Sequence, residues 1–400
     1  MSQLPVALPN ALPNALPIAL PIALPIALPI AITMGDPAGI GPEIIVKAFT
    51  QEPELTKNCF VVGDVAALQR AAGFVRSAIK IEAISEDKIG NQPAYSLLRV
   101  LQIKEQQGDK KEGKQVDIPE HFEIGKISAK AGKAAADAVV WAARAALRGQ
   151  IAAIVTAPLH KEALALAGVK FPGHTELLQA EAAAFLGKSV AEVPVRMMLA
   201  NEELKTVLVS IHLSLRDAIE AVSFENVLQT IRITRDFLHR TTGAYVADFP
   251  HQSALKRMPQ RMKIGVAGLN PHAGESGLFG REEIEIISPA IAAAQKEGID
   301  DGIDISGPFA PDTIFMRARD KIINGSKSLG EFDAVIAMYH DQGLIPVKYL
   351  GVEQGVNVTL GLPLVRTSPD HGTAFDIAGM GVADPASLIA AIKMAKSLVI

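Results

Sequence analysis

The chain has 400 residues, well beyond the length of one ordinary domain, so two domains are expected. Hydrophobic residues make up 49% of it, which is enough for a large buried core and excludes wholesale disorder. The formal net charge of −4 excludes the basic surface that nucleic-acid binding needs. A single cysteine, Cys59, excludes an intrachain disulfide framework and a cysteine-rich metal site, and it favours a reducing, cytoplasmic location. Any metal would therefore be held by histidines and carboxylates.

The sequence begins with a proline-rich tail. Residues 7–30 repeat ALPN or ALPI, with proline at every fourth position. Each interior proline removes a helical hydrogen bond, so this apolar repeat cannot form a membrane-spanning helix, and no membrane partner is expected. We predict a disordered, polyproline-like tail over residues 1–28. A docking segment for a partner protein is the alternative interpretation.

After the tail, apolar runs alternate with helical stretches. The run LPIAITM predicts a first strand, and the following GPEIIVKAF carries Pro42 at the favoured first position of a helix. An alanine-rich helix is predicted over 128–149, and exposed segments are predicted at 104–117 and 247–262. Further apolar runs predict strands at 58–64, 78–84, 151–156, 195–200, 205–210, 263–268, 333–339 and 356–361. Continuous apolar runs separated by helices indicate an α/β fold with mostly parallel sheets, covered by helices on both faces.

Three histidines follow the ends of predicted strands. They are His212, His272 and His340. Ligands of open α/β sheets bind at the carboxyl ends of the strands, and three neutral imidazoles meeting there would hold a divalent cation. For any one of them alone, an ordinary loop histidine is the simpler interpretation.

Glycine-rich segments are typical of places where the backbone approaches a ligand. GDPAGIGPEI (35–44) turns from a strand into a helix and leaves amides free for an anion, although the dinucleotide fingerprint GxGxxG is absent. GLNPHAGESGLFGREE (268–283) contains one of the three histidines. FPGHTELL places His174 and Thr175 at a helix start, where they would meet phosphate. The alternatives are a plain surface loop for the second segment and a simple helix cap for the third.

Charged residues cluster towards the carboxyl terminus. HDQGLIPVKYL (340–350) brings Asp341 and Lys348 close to one of the three histidines. The next glycine-rich stretch, 355–379, adds Asn357 and Arg366, and the guanidinium suits an oxyanion. A solvent-exposed cation is the simpler interpretation for each basic residue.

Several of these stretches together resemble the 4-hydroxythreonine-4-phosphate dehydrogenase family of the vitamin B6 pathway. The resemblance rests on MGDPAGIGPE, TAPLHKEAL, FPGHTELL, IHLSLRDAI, GLNPHAGESG, GPFAPDTIF, AMYHDQGLIPVKY and NVTLGLPLVRTSPDHGTAFDIAG, in that order from residue 34 to about 398. It implies an isopropylmalate-dehydrogenase-like fold with two α/β/α domains and an active site in the cleft between them. The cofactor-side domain would comprise 29–149 and 340–400, and the metal, substrate and dimerisation domain 150–339.

The resemblance also implies NAD- or NADP-dependent oxidation of 4-phosphooxy-L-threonine in a homodimer with shared sites. One divalent metal per site (Zn, Mg, Mn or Co) would bind His212, His272 and His340, with His340 meeting the other two across the dimer interface. Implied substrate contacts are His174, Thr175, Asp312, Lys348, Asn357 and Arg366. Implied contacts to the adenosine end of the cofactor are Asp370, His371, Gly372 and Asp376. Asp341, Lys348 and metal-bound water remain open as proton acceptors.

Two other activities compete with this interpretation. A paralogue that oxidises threonate or erythronate 4-phosphate would keep the same histidines and phosphate-binding groups. A phosphate acyltransferase of related fold would need neither the three histidines nor NAD.

Overall fold

The structure, a computed structural model, describes residues 28–90, 97–103, 122–245, 261–298, 302–323, 326–351 and 354–399. Nearly all of the predicted tail, the segment 104–117 and most of the segment 247–262 lie outside these residues. Within the described ranges, no helix is long and apolar enough to cross a membrane.

Fourteen strands form in the described residues, and they include every predicted one. They are β1 (Ile30–Thr33), β2 (Cys59–Gly63), β3 (Lys80–Ile84), β4 (Leu97–Gln102), β5 (Ala153–Thr156), β6 (Arg196–Ala200), β7 (Lys205–Leu208), β8 (Met262–Ala267), β9 (Ile303–Phe309), β10 (Lys321–Ile323), β11 (Ser326–Ser328), β12 (Ala334–Ala337), β13 (Val356–Leu360) and β14 (Arg366–Pro369). The sequence did not predict β4, β9, β14 or the β10–β11 hairpin.

The described helices include both of the predicted ones. They are α1 (Gly41–Gln51), α2 (Pro53–Thr56), α3 (Val65–Phe74), α4 (Ala129–Leu147), α5 (Lys161–Leu166), α6 (His174–Leu186), α7 (Leu215–Glu220), α8 (Phe224–Tyr245), α9 (Ser288–Glu297), α10 (Pro311–Ala318), α11 (His340–Tyr349) and α12 (Ala386–Ser397). Pro42 lies in the first turn of α1, and Gly149 follows α4 with a φ of 68°.

Twelve strands form one continuous sheet in the order β3-β4-β2-β1-β5-β14-β13-β6-β7-β12-β8-β9. Its neighbours pair in parallel except for β14–β13, β13–β6 and β6–β7. Alternate residues of the strands pack against helices on opposite faces. Ile32 and Val155 share a core cluster with residues of α1 and α12, whereas Ala31 and Ile154 pack with α4. The predicted α/β class with mostly parallel strands is confirmed.

The antiparallel pairs reverse the direction of the sheet near its centre. Only residues 201–204 join β6 to β7, which is too short for a parallel crossover and long enough for a hairpin. Asn201 closes this turn, since its side-chain oxygen accepts the backbone N–H groups of Glu203 and Leu204 at 2.9 and 2.8 Å. As a result, β7, β12, β8 and β9 run opposite to β1, β5 and β14.

The three predicted histidines follow strands that run the same way. β7, β12 and β8 are neighbours and parallel, so their carboxyl ends lie at one edge of the sheet. His212 follows β7, His340 begins the helix after β12, and His272 follows β8. The proposed division into domains at residues 149 and 340 stays a prediction, and α11 packs on β6, β7 and β12.

Candidate active site

Arg366 lies at the junction of three strands, where β14 runs between β5 and β13. Its side chain is buried, with Nε and Nη2 donating to Thr156 Oγ1 at 3.1 and 2.8 Å and Nη1 donating to Thr359 Oγ1 at 3.1 Å. Among the described residues, no carboxylate lies within ion-pair distance of this guanidinium. Burial lowers its pKa to about 10, and the more distant Glu176 carboxylate opposes that shift. The group therefore stays cationic at neutral pH and has capacity for an anion.

His174 stands beside this cation at the first residue of α6, as the sequence predicted. Burial and the nearby charge of Arg366 keep the pKa of the His174 ring well below the usual value. A hydrogen bond with the Ala157 backbone opposes this shift. The Nε2 atom of this ring is enclosed and has no hydrogen-bond partner among the described residues. Gly173 caps the helix without a side-chain bond, so the first-turn amides near Thr175 have no cap acceptor. A neutral imidazole and free amides thus lie next to a buried positive charge.

The charges of two further side chains connect this region to His212. Glu176, in the first turn of α6, acts electrostatically on both Arg366 and His212. Lys161, the first residue of α5, acts on His212 as well. The Arg366 and His212 regions therefore belong to one electrostatic neighbourhood.

His212 and His340 lie side by side in the same chain. Their ring centroids are 5.7 Å apart, and Nδ1 of His340 lies 2.7 Å from Oδ1 of Asp341. Partial burial lowers the pKa of His212, and the nearby charges of Lys161 and His340 lower it further. The lowered pKa favours the neutral ring that a metal ligand needs. An imidazole whose Nδ1 binds a carboxylate keeps Nε2 free for a cation.

This pairing corrects the expectation that His340 meets His212 across a dimer interface. The two rings meet within one chain because they follow the adjacent parallel strands β7 and β12. His272 does not join them: its exposed ring lies against Phe279 at 6.2 Å, and the described residues contain no group of three possible ligands arranged for a metal.

His272 is carried by an unusual loop. Residues 272–276 all have positive φ, from 44° to 78°, and only Gly274 among them is a glycine. Left-handed backbone costs roughly 1–2 kcal/mol for each non-glycine residue. Contacts elsewhere must therefore stabilise the loop.

Lys348 and Asp370 form an ion pair. Lys348 Nζ lies 2.7 Å from Asp370 Oδ2, which joins a predicted substrate residue to a predicted cofactor residue. Asn357 lies two residues before Thr359 on β13, and alternate residues of a strand share a face. Asn357 therefore projects on the face that carries the Thr359 hydroxyl bound by Arg366.

The remaining predicted residues are exposed and make few contacts. Asp312 lies in the first turn of α10, and His371, Gly372 and Asp376 follow Asp370 in a loop. Nδ1 of His371 lies 3.1 Å from the Gly372 carbonyl oxygen. Within the described part of the chain, no hydrogen bond, ion pair or ring contact links these four residues to Arg366 or to the histidine pair.

Sequence reasoning missed several polar groups in and around this site. Thr156 and Thr359 hold the guanidinium. The segment TAPLHK, which begins at Thr156, is distinguished in the sequence only by the family resemblance. Asp36 is fully buried, which raises its pKa, and its Oδ2 has no hydrogen-bond partner among described residues. His160 acts electrostatically on Asp36, and its ring stacks on Phe375 at 5.0 Å. An isolated Thr or Asp carries no sequence signal for such a role.

Comparison with known proteins identifies the family. Residues 55–395 match the model of the pyridoxal phosphate biosynthetic protein PdxA. This chain belongs to that family. A 4-hydroxythreonine-4-phosphate dehydrogenase of Beijerinckia indica is 46% identical over 374 residues, 92% of this chain and 94% of that protein.

Other members of the family carry a different substrate in their name. A D-threonate 4-phosphate dehydrogenase of Salmonella typhimurium is 42% identical over 92% of this chain and 98% of its own length. The crystal structure of 4-hydroxythreonine-4-phosphate dehydrogenase from Klebsiella pneumoniae superimposes with a TM-score of 0.74 at 37% identity, covering 94% of this chain and 98% of that one. The chain is therefore similar to dehydrogenases whose names give two different phosphorylated substrates.

The lowered pKa of His174 predicts a pH effect on stability. In the unfolded chain His174 binds a proton near pH 6.5, whereas in the folded chain it stays neutral. The free energy of unfolding therefore falls as the pH drops below about 6.5, and His174 contributes at most about 1.4 kcal/mol per pH unit to this fall. We expect His174→Asn to flatten this slope in urea unfolding measured between about pH 5 and pH 7. His371→Asn, which removes an exposed imidazole, is the matched control. Equal slopes in the wild type and His174→Asn would contradict a neutral, buried His174.

Proposed function

We propose that this chain oxidises 4-phosphooxy-L-threonine at C3 with NAD or NADP. The product, 2-amino-3-oxo-4-phosphooxybutanoate, then loses CO2 to give 3-amino-1-hydroxyacetone phosphate. The observation that carries the proposal is the buried Arg366 cation beside the neutral His174 ring at the start of α6. The names of the most similar relatives support the same substrate.

The phosphate is the group that this arrangement suits. A buried guanidinium gives charge-assisted hydrogen bonds, and the amides at a helix start add further donors for an anion. His174 and Thr175 supply side-chain donors at the same place. Asn357 and Lys348 would contact the rest of the substrate, since Asn357 shares a face of β13 with Thr359, while Lys348 is held by Asp370. These contacts would fix the orientation that hydride transfer requires.

The histidines suit a divalent cation. His212 and His340 would hold it together with His272, and the carboxylate of Asp341 would orient the His340 ring. A bound cation would lower the pKa of the substrate's 3-hydroxyl. Imidazole ligands favour Zn or Co over Mg or Mn. In this role Asp341 positions a ligand, and water is left to accept the hydroxyl proton, because Lys348 is held in its ion pair with Asp370.

The cofactor would lie on the Asp370 side of the site. Asp370, His371, Gly372 and Asp376 would contact its adenosine end, and the exposure of the last three leaves them free to do so. A nicotinamide cofactor bound there would supply the acceptor for the hydride that leaves C3. The Lys348–Asp370 ion pair links this segment to the substrate side.

The proposed substrate is tested by NADH formation on a panel of compounds. We expect the highest kcat/KM with 4-phosphooxy-L-threonine, and at least a tenfold lower value with 4-hydroxy-L-threonine, because a lost charge-assisted hydrogen bond costs about 1.5–3 kcal/mol. D-threonate and D-erythronate 4-phosphates complete the panel. A higher kcat/KM with D-threonate 4-phosphate would place the chain with the relatives of that name.

A metal site shared between subunits predicts complementation. His272→Ala and His340→Ala homodimers should each be inactive, because every site lacks one ligand. Co-refolded in equal amounts, they form mixed dimers as about half of the population if pairing is random, and one of the two sites in each is intact, so about a quarter of wild-type activity returns.

The matched control for complementation is His212→Ala with His340→Ala. Because these residues pair within one chain, every site of their mixed dimer lacks a ligand and no activity returns. No recovery for the His272 and His340 pair, with subunit exchange shown by mass spectrometry, would mean that each site takes all its ligands from one chain.

A further inference from the structure

The strained loop that carries His272 is held by one buried carboxylate. Glu283 is 3% exposed and accepts the backbone N–H groups of Leu269 and Asn270, both at 2.7 Å, and the side-chain N–H of Asn270 at 3.0 Å. The backbone of Gly274 also packs tightly against this carboxylate, since a Cβ atom added to Gly274 would lie 2.7 Å from Glu283 Oε2. No cationic side chain of the described residues forms an ion pair with it. Its function in the fold is therefore to accept N–H groups from this loop.

The location of Glu283 is itself unusual. It begins a π-helical turn, Glu283–Ile287, just before α9. Such turns are rare and occur frequently at functional sites. The turn directs the carboxylate into the loop at the point from which the left-handed residues 272–276 start.

A second buried side chain ties the same loop to the turn before His340. Gln342 accepts the backbone N–H of Met338 at 2.7 Å through Oε1 and donates through Nε2 to the Gly268 carbonyl oxygen at 2.8 Å. Met338 precedes His340 by two residues, and Gly268 begins the His272 loop. Gln342 therefore fixes the separation of the two histidine-bearing segments.

We propose that Glu283 and Gln342 are positioning residues that place His272 for a divalent cation. Glu283 holds the left-handed loop, and Gln342 holds that loop against the His340 turn. Neither touches the cation. The inference rests on the proposed histidine site.

The test measures metal affinity rather than turnover. In Glu283→Gln, the amide oxygen replaces Oε1 and still accepts both backbone N–H groups, whereas the NH2 group replaces Oε2 and faces the side-chain NH2 group of Asn270. The loop therefore loses the negative charge of its anchor and one of the three hydrogen bonds. We expect Co2+ binding, followed by calorimetry and by the visible spectrum of the bound ion, to weaken about 10- to 100-fold, as is typical of outer-sphere partners. Glu285→Gln is the matched control because Glu285 lies in the same turn and pairs with the exposed Arg281.

A double-mutant cycle separates positioning from general destabilisation. If Glu283 acts through His272, then Glu283→Gln adds no further loss of Co2+ affinity in a His272→Ala background. Unchanged affinity in folded Glu283→Gln, or an equal extra loss in that background, would overturn the inference. Unchanged affinity in His272→Ala alone would instead overturn the proposed metal site.

Gln342→Met keeps the test decisive if Glu283→Gln does not fold. It removes both hydrogen bonds of Gln342 but leaves the bonds of Glu283 intact. We expect it to weaken Co2+ binding in the wild-type background and to have no effect in the His272→Ala background. Wild-type affinity in folded Gln342→Met would contradict the proposal.

Discussion

Arg366 keeps its positive charge at a position from which water is largely excluded, and its hydrogen bonds in the described structure go only to threonine hydroxyls. Two other arginines have different acceptors. The buried Arg99 donates to backbone carbonyls, and the half-buried Arg196 donates to the Thr230 hydroxyl, to a backbone carbonyl and to the Gln229 amide oxygen. A buried cation without a counter-ion is costly unless something supplies negative charge. The substrate phosphate supplies it in the proposed reaction.

This constraint explains why the site lies where the sheet reverses. Thr156 ends β5, Arg366 begins β14 and Thr359 lies on β13, so the cation depends on the pairing of three strands. The pairing of β14 with β13 is the first antiparallel one along the sheet. His174 and Glu176 extend the site from the start of α6 towards His212. A shift of any of these strands would move the anion site relative to the histidines.

Much of the fold follows from the sequence, because continuous apolar runs such as those of β5 and β12 are hard to place except in a covered sheet. The sequence did not predict β14 because its residues, RTSP, are mostly polar. The strand is buried because its neighbours cover it, and its own sequence shows no apolar run. That His212 and His340 follow the ends of strands was predictable from the apolar runs, and the structure shows that these two strands are parallel neighbours. The sequence could not show that His272 lies apart from the other two histidines, because the left-handed turn at 272–276 depends on Glu283, which is eleven positions from His272. A buried Glu or Gln whose partners are backbone groups has no sequence signature, so Glu283 and Gln342 emerge only from the structure.

The role of Arg366 as the phosphate-binding cation is tested most directly by calorimetric binding of 4-phosphooxy-L-threonine and of its dephosphorylated form. Arg366→Met is compared with Arg196→Met, which removes a half-buried arginine whose acceptors are neutral. We expect Arg366→Met to weaken binding of the phosphorylated compound about 10- to 100-fold and to leave binding of the dephosphorylated compound nearly unchanged. We expect Arg196→Met to leave the binding of both compounds unchanged. Equal losses for both compounds in folded Arg366→Met, or no loss for either, would contradict this role.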